Sequence, residues 1–188
     1  RVEMGEYYRT LLGHFRHEIG HYYWNVLIRD GGRLKACRAV FGDDRADYQS
    51  ALQKHYARSA PDSWREHYVS LYAMSHPWED FAETWAHYFH IVSTLETALS
   101  YDMTIGPMVS GQAVRTHKND PYLHMPFDEI MEAWLPLTYA VNSLNRSMGV
   151  ADFHPFVLPA GVRAKLPLLH AVVLHAHQAR CSPLTPVS

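Results

Sequence analysis

The sequence predicts a mainly α-helical domain with little or no sheet, and three observations lead to this fold class. Apolar residues recur at spacings of three and four along most of the chain, which is typical of helices with one buried face. Gly and Pro residues interrupt these stretches where helices end or begin. The sequence has no convincing strand run, hairpin signal, internal repeat or heptad pattern.

The first half of the chain is predicted to form four helices. The first, over residues 6–28, is expected to be long and mostly buried, and a pair of glycines just after it should end it. Its apolar stripe consists of Leu12, Phe15, Ile19, Tyr23 and Val26. Shorter helices are expected over residues 34–41, 45–57 and 63–74, with Ser63 as a candidate cap of the last one.

The second half is predicted to contain the longest helix. Pro77 suits its first position, and Glu79 and Asp80 place negative charge in its first turn. This helix should end near Leu99. Residues 101–126 are then expected to form a long loop that serves as a lid or substrate wall. Two further helices are expected, one over residues 130–148 with a kink or split at Pro136 and one over residues 162–178.

Length and composition limit the class of protein. The chain has 188 residues, of which 47% are hydrophobic, so we assign residues 1–181 to one domain and residues 182–188 to a disordered tail. A net charge of −2 provides no basic field, so we expect no nucleic-acid partner. The apolar stretches are much shorter than the ~20 residues that span a bilayer, so we expect no membrane span.

The two cysteines and the first residue lead to two further expectations. Cys37 and Cys181 lie too far apart in sequence to suggest a disulfide framework or a Cys-rich zinc module. Free thiols favour a reducing compartment, so we expect a cytoplasmic protein. The chain starts with Arg1 rather than Met, which suggests that it was trimmed from a longer product.

Histidine is the unusual component of this composition, with 14 residues, and two of them form a motif. His17 and His21 lie four residues apart in the first predicted helix, so their rings share one face of it. The intervening Glu18 completes an H-E-x-x-H pattern, in which two imidazoles bind Zn²⁺ and the glutamate handles the proton of a zinc-activated water. Buried histidines that only make hydrogen bonds are the alternative interpretation.

The third ligand decides the class of zinc site. The metzincin pattern is excluded, because Trp24 and Leu27 stand where that class has Gly and His. Glu79 and Glu83 lie four residues apart on one face of the helix that begins at Pro77. We expect Glu79 to bind the metal and Glu83 to accept the free ring N–H of a ligand histidine. The reverse assignment of the two glutamates stays open.

Two long segments also resemble a known family. The sequences LLGHFRHEIGHYYW at residues 11–24 and HPWEDFAETWAHY at residues 76–88 closely resemble the bacterial family of zinc-binding metallopeptidases. Residues 41–48 and 136–148 resemble it as well, so the resemblance covers nearly the whole chain. It implies a zincin-like helical domain of the gluzincin type, in which the H-E-x-x-H helix packs against a second helix that carries the third ligand. Full-length members are expected to carry a zinc-ribbon region upstream, which this chain lacks.

The resemblance also implies a role for Tyr72. The E-x-x-x-E element is similar to that of anthrax lethal factor, in which a tyrosine seven residues before the first glutamate faces the metal, and Tyr72 holds that place. It would donate a hydrogen bond to the developing oxyanion. The alternative is that Tyr72 only packs beside Tyr68. His76 is a second candidate donor near the cleft, and His87 is the next choice as a replacement ligand.

The predicted function is that of a zinc-dependent peptidase with one catalytic Zn²⁺. Its ligands would be His17, His21 and Glu79, its general base Glu18, and its substrate a peptide or protein. One alternative is a binding or structural domain, in which a fourth ligand from His76, Glu83 or His87 closes the zinc site. The other is a zinc hydrolase of non-peptide amides. The oligomeric state is left open.

Overall fold

A computed structural model describes residues 10–57, 61–105, 114–115, 120–152 and 158–181, and this part of the chain is mainly helical as the sequence predicts. Residues 1–9 and the predicted tail at 182–188 lie outside the described residues. The helices are α1 (Leu11–Tyr23), α2 (Leu34–Phe41), α3 (Tyr48–Ala57), α4 (Trp64–His67), α5 (Pro77–Ser100), α6 (Phe127–Ser147), α7 (Ala160–Arg163) and α8 (Leu166–Cys181). None of these helices has both the length and the apolar character needed to cross a bilayer.

The core forms around α5, which is the longest helix described and is buried along most of its length. Its aromatic residues Phe81, Trp85 and Tyr88 are almost fully inaccessible to solvent, and so is Trp134 of α6. The helices α1, α2, α6 and α8 all pack against α5, with α1 making the most extensive contact. Any side chain in the first turns of α5 is therefore close to several other elements.

The first helix forms, but its predicted buried face is wrong. The positions of α1 that are buried are Gly13, His17 and Gly20, followed by Trp24 and Ile28 in a π-helical turn (Trp24–Arg29) that continues the helix. Leu12, Phe15, Tyr23 and Val26 of the predicted stripe are exposed instead. Small residues and a histidine face α5 because the two helix backbones approach each other closely there, as described below.

The predicted helix over residues 63–74 is also wrong in its extent. Only Trp64–His67 is α-helical, Tyr68 is extended, and a short 3₁₀ turn follows at Ala73–Ser75. Tertiary hydrogen bonds compete with the helix here. The carbonyl oxygen of His67 accepts from Nζ of Lys165 at 2.6 Å, and the hydroxyl of Ser70 donates to Glu83 at 2.6 Å. Ser63 makes no capping hydrogen bond with its side chain.

The later elements follow the prediction with two changes. The expected loop at 101–126 contains two short antiparallel strands, β1 (Thr104–Ile105) and β2 (Val114–Arg115), in which Thr104 pairs with Arg115. Residues 106–113 and 116–119 of this segment lie outside the described residues, so its role as a lid stays a prediction. The helix α6 runs through Pro136 without a split, and the single helix expected at 162–178 is divided into α7 and α8.

Candidate metal centre

The centre begins with two histidines of α1 that point the same way. His17 and His21 are one turn apart, and their Nε2 atoms are 3.0 Å apart. Both rings are largely buried, with 8% and 13% of their side-chain surface exposed. Two imidazole nitrogens at this distance repel each other if both present lone pairs, so a proton or a cation must lie between them.

The third member is Glu79 in the first turn of α5. Its Oε2 atom is 3.1 Å from Nε2 of His17 and 3.4 Å from Nε2 of His21. This oxygen is buried, and within the described residues it has no hydrogen-bond partner of its own. The three donor atoms thus form a nearly equilateral triangle, with sides of 3.0, 3.1 and 3.4 Å.

This triangle fits a zinc ion. Ligand bonds of ~2.0–2.1 Å in a tetrahedral site separate the donor atoms by about 3.3 Å, which is close to the three distances observed. Within the described residues, these three side chains form the group whose geometry could hold a metal, and no other His, Cys, Asp or Glu joins it. Two imidazoles and one carboxylate are a common ligand set of catalytic zinc sites.

The sequence brings the two helices close enough through small residues and through the start of α5. A Cβ atom placed on Gly20 would lie 3.0 Å from Cα of Ala82, so glycine lets α1 and α5 cross closely beside the triangle. Pro77 occupies the first position of α5, and the ring of His76 caps the helix by accepting from the backbone N–H of Trp78. Glu79 therefore points into the centre from a fixed helix end.

The charges of the centre favour a cation. Burial alone would lower the pKa of His17, but contacts with Glu79 and Glu83 outweigh it and raise the pKa to about 9. Burial raises the pKa of Glu79, yet the two histidines and Tyr48 reverse this effect and hold it well below its usual range. Without a metal, a protonated His17 supplies the positive charge that these carboxylates require.

Glu83 lies on the other side of His17. Its Oε1 atom is 2.6 Å from Nδ1 of His17, and its Oε2 accepts a hydrogen bond from the hydroxyl of Ser70. A carboxylate at this position orients the ring and makes the opposite nitrogen a stronger ligand. The structure thus brings Glu79 to the triangle and Glu83 to the back of one of its rings.

Glu18 lies beside the triangle rather than in it. Its side chain is 58% exposed, and its Oε1 atom is 3.6 Å from Nε2 of the exposed His14. An exposed ion pair of this kind within one helix is weak and leaves the carboxylate open to other partners. Glu18 is therefore accessible from solvent next to the buried His17.

Tyr72 is near the centre, but not on the helix that was predicted to carry it. Its ring centre is 6.1 Å from that of His17, and burial raises the pKa of its hydroxyl. Its hydroxyl is 3.5 Å from the hydroxyl of Tyr48, the first residue of α3. Because residues 68–72 are not helical, Tyr72 and Tyr68 do not share a helix face.

Two predicted histidines have other contacts. The Nδ1 atom of His76 accepts from Trp78, and its Nε2 donates to the carbonyl oxygen of Ala46 at 3.0 Å, so the ring has no free N–H for a substrate. His87 is buried outside the triangle, and burial lowers its pKa to about 4. Neither ring nor Glu83 supplies a fourth donor to the described group.

Two aromatic residues of the centre were missed as functional residues. The hydroxyl of Tyr48 donates to Oε1 of Glu79 at 2.7 Å. The ring of Trp78 packs on His21 with a centroid distance of 3.8 Å. Tyr48 lies in residues 41–48, which resemble the metallopeptidase family, and this resemblance was the one feature of the sequence that could have indicated a functional role for it.

Comparisons with known proteins agree with this geometry. A family model described as "Putative zinc-binding metallo-peptidase" matches residues 1–172. The chain is 46% identical over 174 residues to the uncharacterized proteins Mb2598c of Mycobacterium bovis and Rv2568c of Mycobacterium tuberculosis. These matches cover 92% of this chain and 49% of each relative, so the chain spans about half the length of these relatives. No solved structure matches it.

The family model covers the two histidines, Glu79 and Glu83 of α5, and the tyrosines around them. Its description names the metal that the donor triangle fits and a class of enzyme that uses such a triangle. The chain belongs to this family of zinc-binding metallopeptidases.

Proposed function

We propose that the chain is the catalytic domain of a zinc-dependent peptidase of the gluzincin type. The observation that carries the proposal is a buried triangle of three donor atoms, with no fourth donor among the described residues, beside an exposed glutamate. A structural zinc site is closed by four protein ligands, whereas a catalytic site keeps one position open. The donor set of this chain therefore favours catalysis over a purely structural role.

His17, His21 and Glu79 would hold the ion. When bound, Zn²⁺ polarises the scissile carbonyl and makes a water molecule more acidic. Glu83 keeps the Nδ1 proton of His17, so that Nε2 of this ring presents its lone pair to the ion. The ring of Trp78 fixes the orientation of His21 by stacking on it.

Glu18 would carry the proton through the reaction. Its carboxylate takes a proton from the attacking water while the water oxygen forms a bond to the carbonyl carbon. The same carboxyl then gives the proton to the amide nitrogen as the C–N bond breaks, so the residue returns to its starting form. The Tyr72 hydroxyl would donate to the carbonyl oxygen as negative charge develops there.

The test combines metal analysis with a peptide-library cleavage assay on the wild-type protein and the Glu18→Gln variant. The variant should bind one zinc ion per chain and lose cleavage by several orders of magnitude, because the amide cannot accept the proton. Glu132→Gln is the matched control, since Glu132 is an exposed glutamate of α6. It should cleave at the wild-type rate.

The other possible outcomes would contradict the proposed mechanism or support one of the alternative functions. Equal cleavage by wild type and Glu18→Gln would contradict the mechanism. Zinc binding with no cleavage of peptides or of simple amides would support the binding-domain alternative. Hydrolysis of amides without peptide cleavage would support the non-peptide hydrolase.

A further inference from the structure

A tyrosine of α3 makes the shortest hydrogen bond to the third ligand of the triangle. The hydroxyl of Tyr48 donates to Oε1 of Glu79 at 2.7 Å, while Oε2 of the same carboxylate faces the two histidines. A carboxylate held by one oxygen cannot rotate freely about its last side-chain bond. The hydrogen bond therefore separates the two oxygens of Glu79 into one that is anchored and one that is available as a ligand.

The same hydroxyl is close to Tyr72. The two phenol oxygens are 3.5 Å apart, which is the upper limit for a hydrogen bond. Because the single proton of Tyr48 is donated to Glu79, any hydrogen bond between the phenols must use the proton of Tyr72. At this distance the bond is weak, so the Tyr72 proton is held near the centre and can still be donated to a substrate oxygen.

Tyr48 is itself held by its surroundings. Its ring packs edge-on against His76 and Trp78, at centroid distances of 5.3 and 5.9 Å. The Asp47 side chain accepts from the backbone N–H of Ser50 and so fixes the start of α3. Trp78 in turn stacks on His21, so the same packing unit supports two of the three members of the triangle.

We propose that Tyr48 is a positioning residue of the centre, which restricts Glu79 to one ligand oxygen and holds the Tyr72 hydroxyl beside the triangle. The effect of Tyr48 on Tyr72 rests on the proposed function. The effect of Tyr48 on Glu79 concerns only how the chain binds the metal, so this effect can be tested whether or not peptides are cleaved.

The experiment compares Tyr48→Phe with the wild type, since phenylalanine keeps the ring packing and removes only the hydroxyl. Zinc affinity is measured by competition with a chelator of known affinity, and the visible spectrum of the cobalt-substituted protein reports the coordination. The variant should bind zinc about 10- to 100-fold more weakly, as expected when a partner of a ligand is lost. Its cobalt spectrum should change, because the freed carboxylate can bind through both oxygens.

Tyr56→Phe is the matched control, because Tyr56 is in the same helix and is 72% exposed. It should leave both zinc affinity and the cobalt spectrum unchanged. Tyr72→Phe should lower kcat but keep the wild-type zinc affinity, which separates the two phenols. Metal-free Tyr48→Phe should melt close to the wild type, since the ring remains in place.

Wild-type zinc affinity and an unchanged cobalt spectrum in Tyr48→Phe would overturn the inference. A weaker affinity together with an equally large loss in Tyr56→Phe would also overturn it, since the effect would then be general to α3. If the wild type binds zinc and cleaves nothing, the proposed function fails while the affinity comparison still decides the role of Tyr48.

Discussion

Glu79 and Asp80 are neighbours in the first turn of α5, and both are almost completely buried, yet they face different charges. Asp80 faces Lys165, whose Nζ atom is 2.7 Å from its Oδ2 and also donates to the carbonyl oxygen of His67. Glu79 faces His17 and His21, whose charge depends on a bound proton or metal. The chain thus supplies a lysine ammonium group as the partner of one carboxylate and two imidazole rings as the partners of the other.

This difference shows why burial alone does not identify a functional carboxylate. Burial raises the pKa of Asp80 to about 6 against the attraction of Lys165, and the pair connects α5 to the junction of α7 and α8. Its role is structural, because all of its charge is satisfied within the chain. Glu79 keeps a buried oxygen without a hydrogen bond, and this unsatisfied oxygen is the feature typical of a ligand.

The largest expected effect comes from breaking the structural pair. Asp80→Asn leaves the charge of Lys165 buried without its partner, so the free energy of unfolding should fall by about 3–5 kcal/mol. Urea denaturation of the metal-free protein measures this loss. Zinc affinity, corrected for the unfolded fraction, should stay within about threefold of the wild type, because Asp80 does not face the triangle.

The double variant Asp80→Asn/Lys165→Met is the control for this experiment. Removal of both charges should recover much of the lost stability, because an apolar side chain then replaces an unpaired buried ammonium. A double variant as unstable as Asp80→Asn would show that the carboxylate matters through its other contact, with the hydroxyl of Thr84.

The second-largest effect is expected from replacing Glu79, the other buried carboxylate. Glu79→Gln keeps the shape of the side chain and removes its charge, so zinc should bind more than about 100-fold more weakly, which exceeds the loss typical of an outer partner. Metal-free stability should also fall, but by less than in Asp80→Asn, because Glu79 is only one of the two carboxylates that stabilise protonated His17. Chelator competition and urea denaturation measure the two quantities.

Glu83→Gln decides between the two assignments of the glutamates. If Glu83 only orients His17, its variant should lose about 10- to 100-fold in zinc affinity and Glu79→Gln should lose more. The opposite order of losses would make Glu83 the ligand.

Local patterns predicted the parts of the centre that lie within single helices. The spacing of His17 and His21 and the proline-initiated turn with Glu79 follow from helix geometry, and the structure brings these three residues together. Tyr48 could not be assigned a role in this way, because it is 31 residues from Glu79 and reaches it only through the packing of α3 against the segment before α5.

The hydrophobic pattern also predicted the wrong buried face for α1. It placed Leu12, Phe15, Tyr23 and Val26 in the core, but the face of α1 that contacts α5 carries Gly13, His17 and Gly20. Hydrophobicity scales give glycine and histidine little weight, although close backbone approach favours the first and metal binding is a common role of the second. The prediction of a helix over residues 63–74 was wrong for a related reason. Hydrogen bonds between residues distant in sequence, from Lys165 to His67 and from Ser70 to Glu83, take the place of local ones there.

The smallest expected effect extends the comparison to histidines that have no carboxylate beside them. His170 of α8 is buried between Tyr88 and the carbonyl oxygen of Met125, and burial lowers its pKa. Its folded pKa is below the unfolded value near 6.5, so the unfolded chain takes up the proton first as the pH falls. The contribution of His170 to the free energy of unfolding should therefore be largest above pH 6.5 and decrease below it, by at most about 1.4 kcal/mol per pH unit.

Urea denaturation between pH 5 and 7.5, with a chelator present, tests this sign in the His170→Gln variant. The stability advantage of the wild type over the variant should shrink as the pH falls, because glutamine does not titrate. His175→Gln, at an exposed position of the same helix, is the matched control. If the difference in the free energy of unfolding between wild type and His170→Gln does not change with pH, then burial does not lower the pKa of His170. The absence of a neighbouring carboxylate would then not distinguish the titration of His170 from that of His17.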